Sequence, residues 1–464
     1  MKKVAVLSAL VISGLVWGIG CSESGSPAEG DRGAVRGAPA VEEVAGLRSD
    51  LLPAWQTQQE RDRGRNRPDL RANNSTRPPL GEVYVPAEYA SMEGMLIHLP
   101  VSSGDGTYYY QQMASFYAGM IKGAVAAGAR PYILVGESWE QQGVENRILP
   151  VAGVSAQDVS FVYTTNDSLW TRDYGPWHVY VDGQRAIVDQ QYYSGRPEDD
   201  QIPKVLGRVW DEDVYSTSLY TEGGNFMTDG LGTCWMSYGV LWNNSLSREA
   251  VESIYRDYLG CKHIEFIEPL PGEGTTHIDM FSKILNQDTI LVAFSSTAYG
   301  ASQEEIDFLD RAAEAYRSTP KPDLGQWNIV RIPMTFHNVR YSDGSVERVF
   351  NAHTNSLAVN NSILVPVYGR VSDSQALAVY RKEMPGYSVI GVESRVIIPW
   401  GGSVHCSTMQ IPVRKLSSCG DGVVTSPEPC EPMYLRGQTC DALGYAGGTL
   451  RCTSTCALDK SACF

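Results

Sequence analysis

From Gly81 onward the sequence alternates short apolar runs, bounded by Gly, Pro or Asn, with longer stretches of helical period. That alternation restricts the chain to an α/β fold. The runs Met95-Leu96-Ile97, Pro131 to Val135, Ile290 to Phe294, Ile363 to Val367 and Val396 to Pro399 are strand-like. Tyr108 to Ala127, Ser247 to Leu259, Gln303 to Ser318 and Asp373 to Lys382 are predicted helices. Ser247 opens one of them, with Glu249 and Glu252 near the positive end of its dipole. No segment repeats another with clear identity, so any internal symmetry is structural.

Five polar motifs interrupt this body. They are Trp170-Thr171-Arg172-Asp173-Tyr174-Gly175-Pro176, Glu222-Gly223-Gly224-Asn225, His277-Ile278-Asp279, the stretch around Asn355, and Gly401-Gly402-Ser403-Val404-His405-Cys406. From Asp173 through Glu222, His277 and Asn355 to Cys406 the steps are 49, 55, 78 and 51 residues, which suits one polar tip per α/β unit. Each motif alone has a plain structural reading. Arg-Asp before Gly-Pro is a common turn, Glu-Gly-Gly-Asn a hairpin tip, His-x-Asp one face of a strand, and a Cys beside an apolar run a small buried hydrophobe.

Together the motifs fit one chemistry. A guanidinium is planar, cationic and carries five N–H donors, so holding it takes carboxylates placed for paired hydrogen bonds. Asp173 and Asp279 are the candidates. Its central carbon calls for a soft nucleophile, for which Cys406 serves. Protonating the departing nitrogen and activating water is work for His277, with Glu222 orienting the imidazole.

These motifs, with Trp177, Thr354-Asn355-Ser356, Pro86-Ala87-Glu88-Tyr89 and Met92-Glu93-Gly94, resemble those of the Porphyromonas-type peptidylarginine deiminases and the related agmatine deiminases, over about positions 82 to 414. The resemblance implies a pentein fold, a five-bladed pseudosymmetric α/β propeller. It implies hydrolysis of an arginine-type guanidinium to a citrulline-type urea and ammonia through a covalent Cys thiouronium, with no cofactor and no metal. Carried over by position, Asp173 and Asp279 clamp the guanidinium, His277 is acid and base, Asn355 supports the site, Cys406 attacks, and Trp170 stacks near the aliphatic stem. In the peptidylarginine enzymes a loop presents two arginines to the carboxylate of a C-terminal arginine. Here Tyr193-Ser194-Gly195-Arg196-Pro197 keeps Arg196 alone, which implies a weaker preference for that substrate.

The expected substrate is therefore an arginine-containing peptide, free arginine or another small guanidino compound. The alternative within the family is agmatine deimination to N-carbamoylputrescine, with which Glu222 agrees. Outside it stand a cysteine peptidase built on Cys406, His277 and Asn355, which leaves both aspartates idle, and a tethered binding module. A metal site is opposed by His405 and Cys406, neighbours that would point to opposite faces of a strand.

The ends of the chain read differently. Lys2 and Lys3 precede an apolar run from Val4 to Ile19 that is too short to span a bilayer, as befits a signal peptide over 1–20. Ile19-Gly20-Cys21 resembles a bacterial lipobox, with Cys21 the lipidated residue. This implies an exported lipoprotein anchored at the outer membrane or cell surface. Residues 21–80 are rich in Ser, Gly, Pro, Arg and acids, with Trp55 their only ring past the start, and read as a flexible tether. The deiminase body is expected over 81–416. Cys419, Cys430, Cys440, Cys452, Cys456 and Cys463 crowd the remaining residues, 417–464, which read as a disulfide module resembling the cysteine-rich repeats of secreted myxobacterial proteins. A formal charge of −15 argues against nucleic-acid partners.

Overall fold

The computed structural model describes residues 41–43, 52–65, 75–99, 107–321, 325–341, 344–414, 430, 435, 438–453 and 456–464. The signal segment, Cys21 and Cys419 lie outside them. Among the described residues no helix is long and apolar enough to cross a membrane.

One local plan recurs in five mixed sheets. A first strand pairs antiparallel with a second, and the second pairs parallel with a third after a helical crossover. A crossover of this kind is needed because parallel neighbours cannot be joined by a tight turn. Trp177–Val181, Gln184–Gln191 and Val214–Tyr220 make one unit with helix Ile202–Trp210. Met227–Thr228, Thr233–Ser237 and His263–Ile267 make the next, with Arg248–Leu259. Ser282–Ile284, Thr289–Phe294 and Asn328–Arg340 follow, with Gln303–Ser318. Leu357–Val359, Ser362–Val367 and Ser388–Glu393 take Asp373–Glu383. The remaining unit draws its first strand, Met409–Pro412, from the far end of the body and pairs it with Met92–His98, which runs through helix Thr107–Ala126 to Arg130–Val135.

The sequence accounts for these elements locally. Strands Thr289–Phe294 and Ser362–Val367 are buried at five successive positions, as expected of strands covered on both faces. Helix Arg248–Leu259 buries Val251, Tyr255, Tyr258 and Leu259, a single stripe at helical spacing. The Ser247 hydroxyl accepts from Ala250 N at 3.2 Å, a cap of the kind that contributes about 1 kcal/mol. Gly260 ends the helix at φ 72°, where a side chain would be strained.

Three readings of the sequence need correction. Val396 to Pro399 is not a strand; Ile398–Trp400 forms a single 3-10 turn, with Pro399 inside it. Cys234 and Cys261, the cysteines that accompany Cys406 in a body otherwise free of them over 81–416, are bonded to each other. They are brought together because Cys234 lies on a strand parallel to the one that Cys261 precedes. Residues 52–65, placed by composition in the tether, are folded: Ala54 and Glu60 are fully buried and Gln58–Arg65 is a helix. In the C-terminal segment Cys430 pairs with Cys452 and Cys440 with Cys463, and Cys456 is also disulfide-bonded.

Candidate active site

Each of the five polar motifs lies immediately ahead of the first strand of a unit. Helical turn Thr171–Tyr174 precedes Trp177, Gly223–Asn225 precedes Met227, and Ile278–Met280 precedes Ser282. Asn355 precedes Leu357, and Cys406 precedes Met409. The long step to Asn355 contains the hairpin of Asn328–Arg340 with Val346–Ala352, which among the described residues the other units do not have.

The motifs meet. The Cys406, His277 and Asp279 side chains bring donor atoms within 4.8 Å of one another, as do Asp173, Glu222 and His277. Asn355 Nδ2 donates to Cys406 Sγ at 3.1 Å, while its Oδ1 accepts from the backbones of Ser403 at 3.0 Å and Cys406 at 3.3 Å. One amide thus fixes the cysteine turn and touches its sulfur. His277 Nε2 lies 2.9 Å from Glu222 Oε2, and its Nδ1 lies 3.8 Å from Asp173. Two glycines make this closeness possible. A Cβ on Gly224 would sit 2.4 Å from the His277 ring, and one on Gly402 would sit 2.8 Å from both Cys406 Sγ and the Trp170 ring.

All of these groups are buried, Cys406 and Asn355 completely. Burial and the Asp279 carboxylate push the Cys406 thiol up to about 12, with His277 pulling the other way. Burial would depress His277, but Asp173, Cys406 and Glu222 outweigh it and hold the imidazole well above the ordinary histidine range. Asp173 is driven well above the usual carboxylate range, by burial first and then by Glu222 and Asp279, with His277 opposing. For Asp279 burial is outweighed by His405, His277 and Arg172, and its carboxyl is held low. Both oxygens of Asp173 and Oδ1 of Asp279 are buried without a hydrogen-bond partner. A buried carboxylate oxygen needs a donor, and a ligand bound between these two residues would supply it. Either triplet has donors that would also accept a divalent ion.

The family model of the Porphyromonas-type peptidyl-arginine deiminases matches residues 84–412. The chain belongs to that family. Membership gives this deiminase its reaction class, deimination of a guanidino group. A Shewanella baltica protein named "Putative agmatine deiminase" is 25% identical over 377 residues, covering 74% of this chain and 97% of its own. One of the same name from a Marinomonas species is 27% identical over 281 residues, covering 53% and 74%. The solved agmatine deiminase of Enterococcus faecalis superposes with a TM-score of 0.62 at 20% identity, covering 72% of this chain and 96% of that one. The agmatine deiminase of C. jejuni gives 0.60 at 20%, covering 71% and 96%. At these identities the superpositions establish a common fold.

Two expectations about this deiminase's site fail. His277 and Asp279 do not lie on a strand: His277 caps a 3-10 turn, preceded by Thr276 at φ 63°. Nor do His405 and Cys406 point apart. They occupy a turn, and both reach Asp279 Oδ2, His405 Nδ1 at 2.6 Å and Cys406 Sγ at 3.6 Å. A third expectation, that Arg196 receives a substrate carboxylate, conflicts with its surroundings. Arg196 is wholly buried, and Glu60 takes its Nε at 2.6 Å and its Nη2 at 3.3 Å. Trp170 is likewise buried, its Nε1 donating to Leu52 O at 2.9 Å.

Behind Asp279 runs a line of charge to which the sequence motifs alone assign no role. His405 Nε2 lies 2.6 Å from Glu88 Oε2, and Lys283 pairs with the other Glu88 oxygen. Burial lowers Lys283 to about 8, whereas Glu88 is held below the carboxylate range, burial being outweighed by Lys283 and His405. Glu88 sits in the quoted Pro-Ala-Glu-Tyr motif and His405 beside the cysteine, so both were visible without a role.

Proposed function

We propose that this deiminase hydrolyses the guanidinium of a small alkylguanidine that lacks a carboxylate, agmatine being the type, to a ureido product and ammonia. The observation that carries the reading is the set of unpartnered carboxylate oxygens of Asp173 and Asp279 around the free thiol of Cys406. A guanidinium supplies the five N–H donors those oxygens lack. Support for the substrate comes from Arg196, whose donors are already taken by Glu60, the Pro53 carbonyl and Tyr192. This replaces peptidyl or free arginine, the first choice from sequence, with the agmatine-type alternative.

The resting thiol is neutral, and the substrate changes that. A cation about 4 Å from sulfur, at an effective dielectric of about 20, favours the thiolate by about 4 kcal/mol, or about three pKa units. Loading the guanidinium therefore brings Cys406 from about 12 towards the range in which its proton is released to solvent, where it ends on the departing ammonia as ammonium. The thiolate attacks the central carbon, forming the C–S bond. Protonated His277 gives its proton to one terminal nitrogen, the C–N bond breaks, and ammonia leaves. The S-alkylthiouronium stays between Asp173 and Asp279. Water then attacks, neutral His277 takes one of its protons, the C–S bond breaks, the remaining hydroxyl proton passes to the departing sulfur, and the ureido product leaves with the Cys406 thiol restored. Glu222 holds the imidazole in line throughout.

We infer also that the five units close into a five-bladed pentein propeller spanning about 81–416. Residues 1–20 would direct export, Cys21 would carry a lipid anchor at the cell surface, and 417–464 would be a disulfide module.

Ammonia and ureido product are to be measured from agmatine, free arginine, and peptides with C-terminal and internal arginine. Agmatine is expected to be turned over fastest, and Cys406→Ala to lose at least about 10⁴-fold in rate. Peptide-bond cleavage, or full activity in Cys406→Ala, would overturn the reading.

A further inference from the structure

The segment 52–61 crosses the mouth of the site and is held at four places. Leu52 O accepts from Trp170 Nε1 at 2.9 Å, and Ala54 N donates to Trp400 O at 2.7 Å. The Trp55 ring lies where a Cβ on Gly401 would come within 2.8 Å of it. Glu60 meets Arg196 through both carboxylate oxygens. Gly402 lies between Trp170 and Cys406, since a Cβ there would come within 2.8 Å of both, so this strap rests on the nucleophile's surroundings.

Its last anchor is unusual in kind. The helix Gln58–Arg65, sequence QQERDRGR, has no apolar side chain. Gln58, Gln59, Arg61, Asp62 and Arg63 are exposed, whereas Glu60 is fully buried. A helix that buries a single carboxylate is docked by an anion site rather than by a hydrophobic stripe. That site is Arg196. Besides Glu60, its Nη2 donates to the carbonyls of Pro53 at 2.7 Å and Trp55 at 3.1 Å, and its Nη1 donates to the Tyr192 hydroxyl at 3.0 Å. Its guanidinium stacks 4.9 Å from the centre of the Tyr193 ring. The Tyr193 hydroxyl donates to Glu222 Oε2 at 2.9 Å, the same oxygen that His277 meets. Three contacts, through Tyr193 and Glu222, therefore link the anion site to the imidazole.

We propose that Glu60 is a built-in carboxylate that occupies this anion site and so selects the substrate class: guanidines without a carboxylate enter, and those with an α-carboxylate are refused. The proposal rests on the function proposed above and names its specificity-determining residue. Glu60 touches neither the reacting carbon nor the nucleophile. It acts by filling the position that a substrate carboxylate needs, since every Arg196 nitrogen is already committed to Glu60, to the strap carbonyls or to Tyr192.

The test uses the full chain carrying Cys406→Ala, so that ligands bind without turnover. Calorimetry with agmatine and with L-arginine gives the ratio of their dissociation constants, with Glu60 intact, as Glu60→Ala and as Glu60→Gln. Glu60→Ala is expected to move the ratio at least about tenfold towards arginine. Glu60→Gln, which keeps the shape and loses the charge, is expected to move it less. Acetate is expected to compete with arginine in Glu60→Ala and to leave the Glu60 chain unaffected, because the small anion refills the emptied position. An unmoved ratio in folded Glu60→Ala and Glu60→Gln, or binding of neither ligand by Glu60→Ala, would overturn the proposal. Failure of the unaltered chain to release ammonia from agmatine is a separate result and would overturn the function instead.

Discussion

Two buried ionic clusters lie close together in this chain, and they are completed to different degrees. In the Arg196–Glu60 pair every guanidinium nitrogen has an acceptor and both carboxylate oxygens have donors. Around Cys406, both oxygens of Asp173 and one of Asp279 have none. Burying a charge costs several kcal/mol unless partners are supplied, so a completed pair tolerates burial and an incomplete set does not. The completed cluster is a lock within the fold. The incomplete one is finished by its ligand, and that contrast separates a docking contact from a reaction centre when both are buried, charged and adjacent.

The largest expected effect comes from altering the incomplete cluster. Asp173→Asn removes half of the clamp and should lower kcat/KM for agmatine about 10³-fold, or about 4 kcal/mol, measured by ammonia release. Next is the completed cluster. Glu60→Ala leaves Arg196 buried without its counter-charge and should lower the unfolding free energy by about 3 kcal/mol in denaturant titrations. Glu60 has its carboxyl held low, burial being outweighed by Arg196, so its contribution is present above the unfolded pKa and fades as pH falls through the folded one. The smallest effect has the opposite sign. Asp173→Asn should raise the unfolding free energy at pH 7 by about 1–2 kcal/mol, because it removes a buried charge facing Glu222 and Asp279. Burial raises the Asp173 carboxyl, so stability associated with its neutral form is complete below the unfolded pKa and lost as pH rises through the folded one. The gain in Asp173→Asn should therefore shrink in melts on acidification towards about pH 4. Equal losses of stability in Glu60→Ala and Asp173→Asn would erase the distinction between the two clusters.

Much of the architecture is legible in the residues. The predicted helices at 108–127, 247–259, 303–318 and 373–382 agree with the observed ones to within a residue at each end, and 303–318 coincides, because apolar period and caps are local properties. The five motifs were readable because each is a polar interruption between periodic stretches. What escaped depends on contacts distant in sequence. Glu60 is one buried carboxylate in a hydrophilic run, so composition assigned its neighbourhood to a tether. Arg196 was matched to a substrate by its motif, whereas its partner lies 136 residues away. His405 was expected to turn from Cys406 on the assumption of a strand, and the 401–407 turn removes that alternation. Cys234 and Cys261 are 27 residues apart and meet through strand pairing.

The central claim is that a guanidinium between Asp173 and Asp279 turns Cys406 into the attacking group. Its most direct test is to mix the unaltered chain with agmatine, stop the reaction in acid within the first turnover, and weigh the peptide that contains Cys406. The account predicts a thiouronium adduct on Cys406, formed together with one equivalent of ammonia and absent from Cys406→Ala. Ammonia released at the same rate by Cys406→Ala, or an adduct on any other residue, would contradict it.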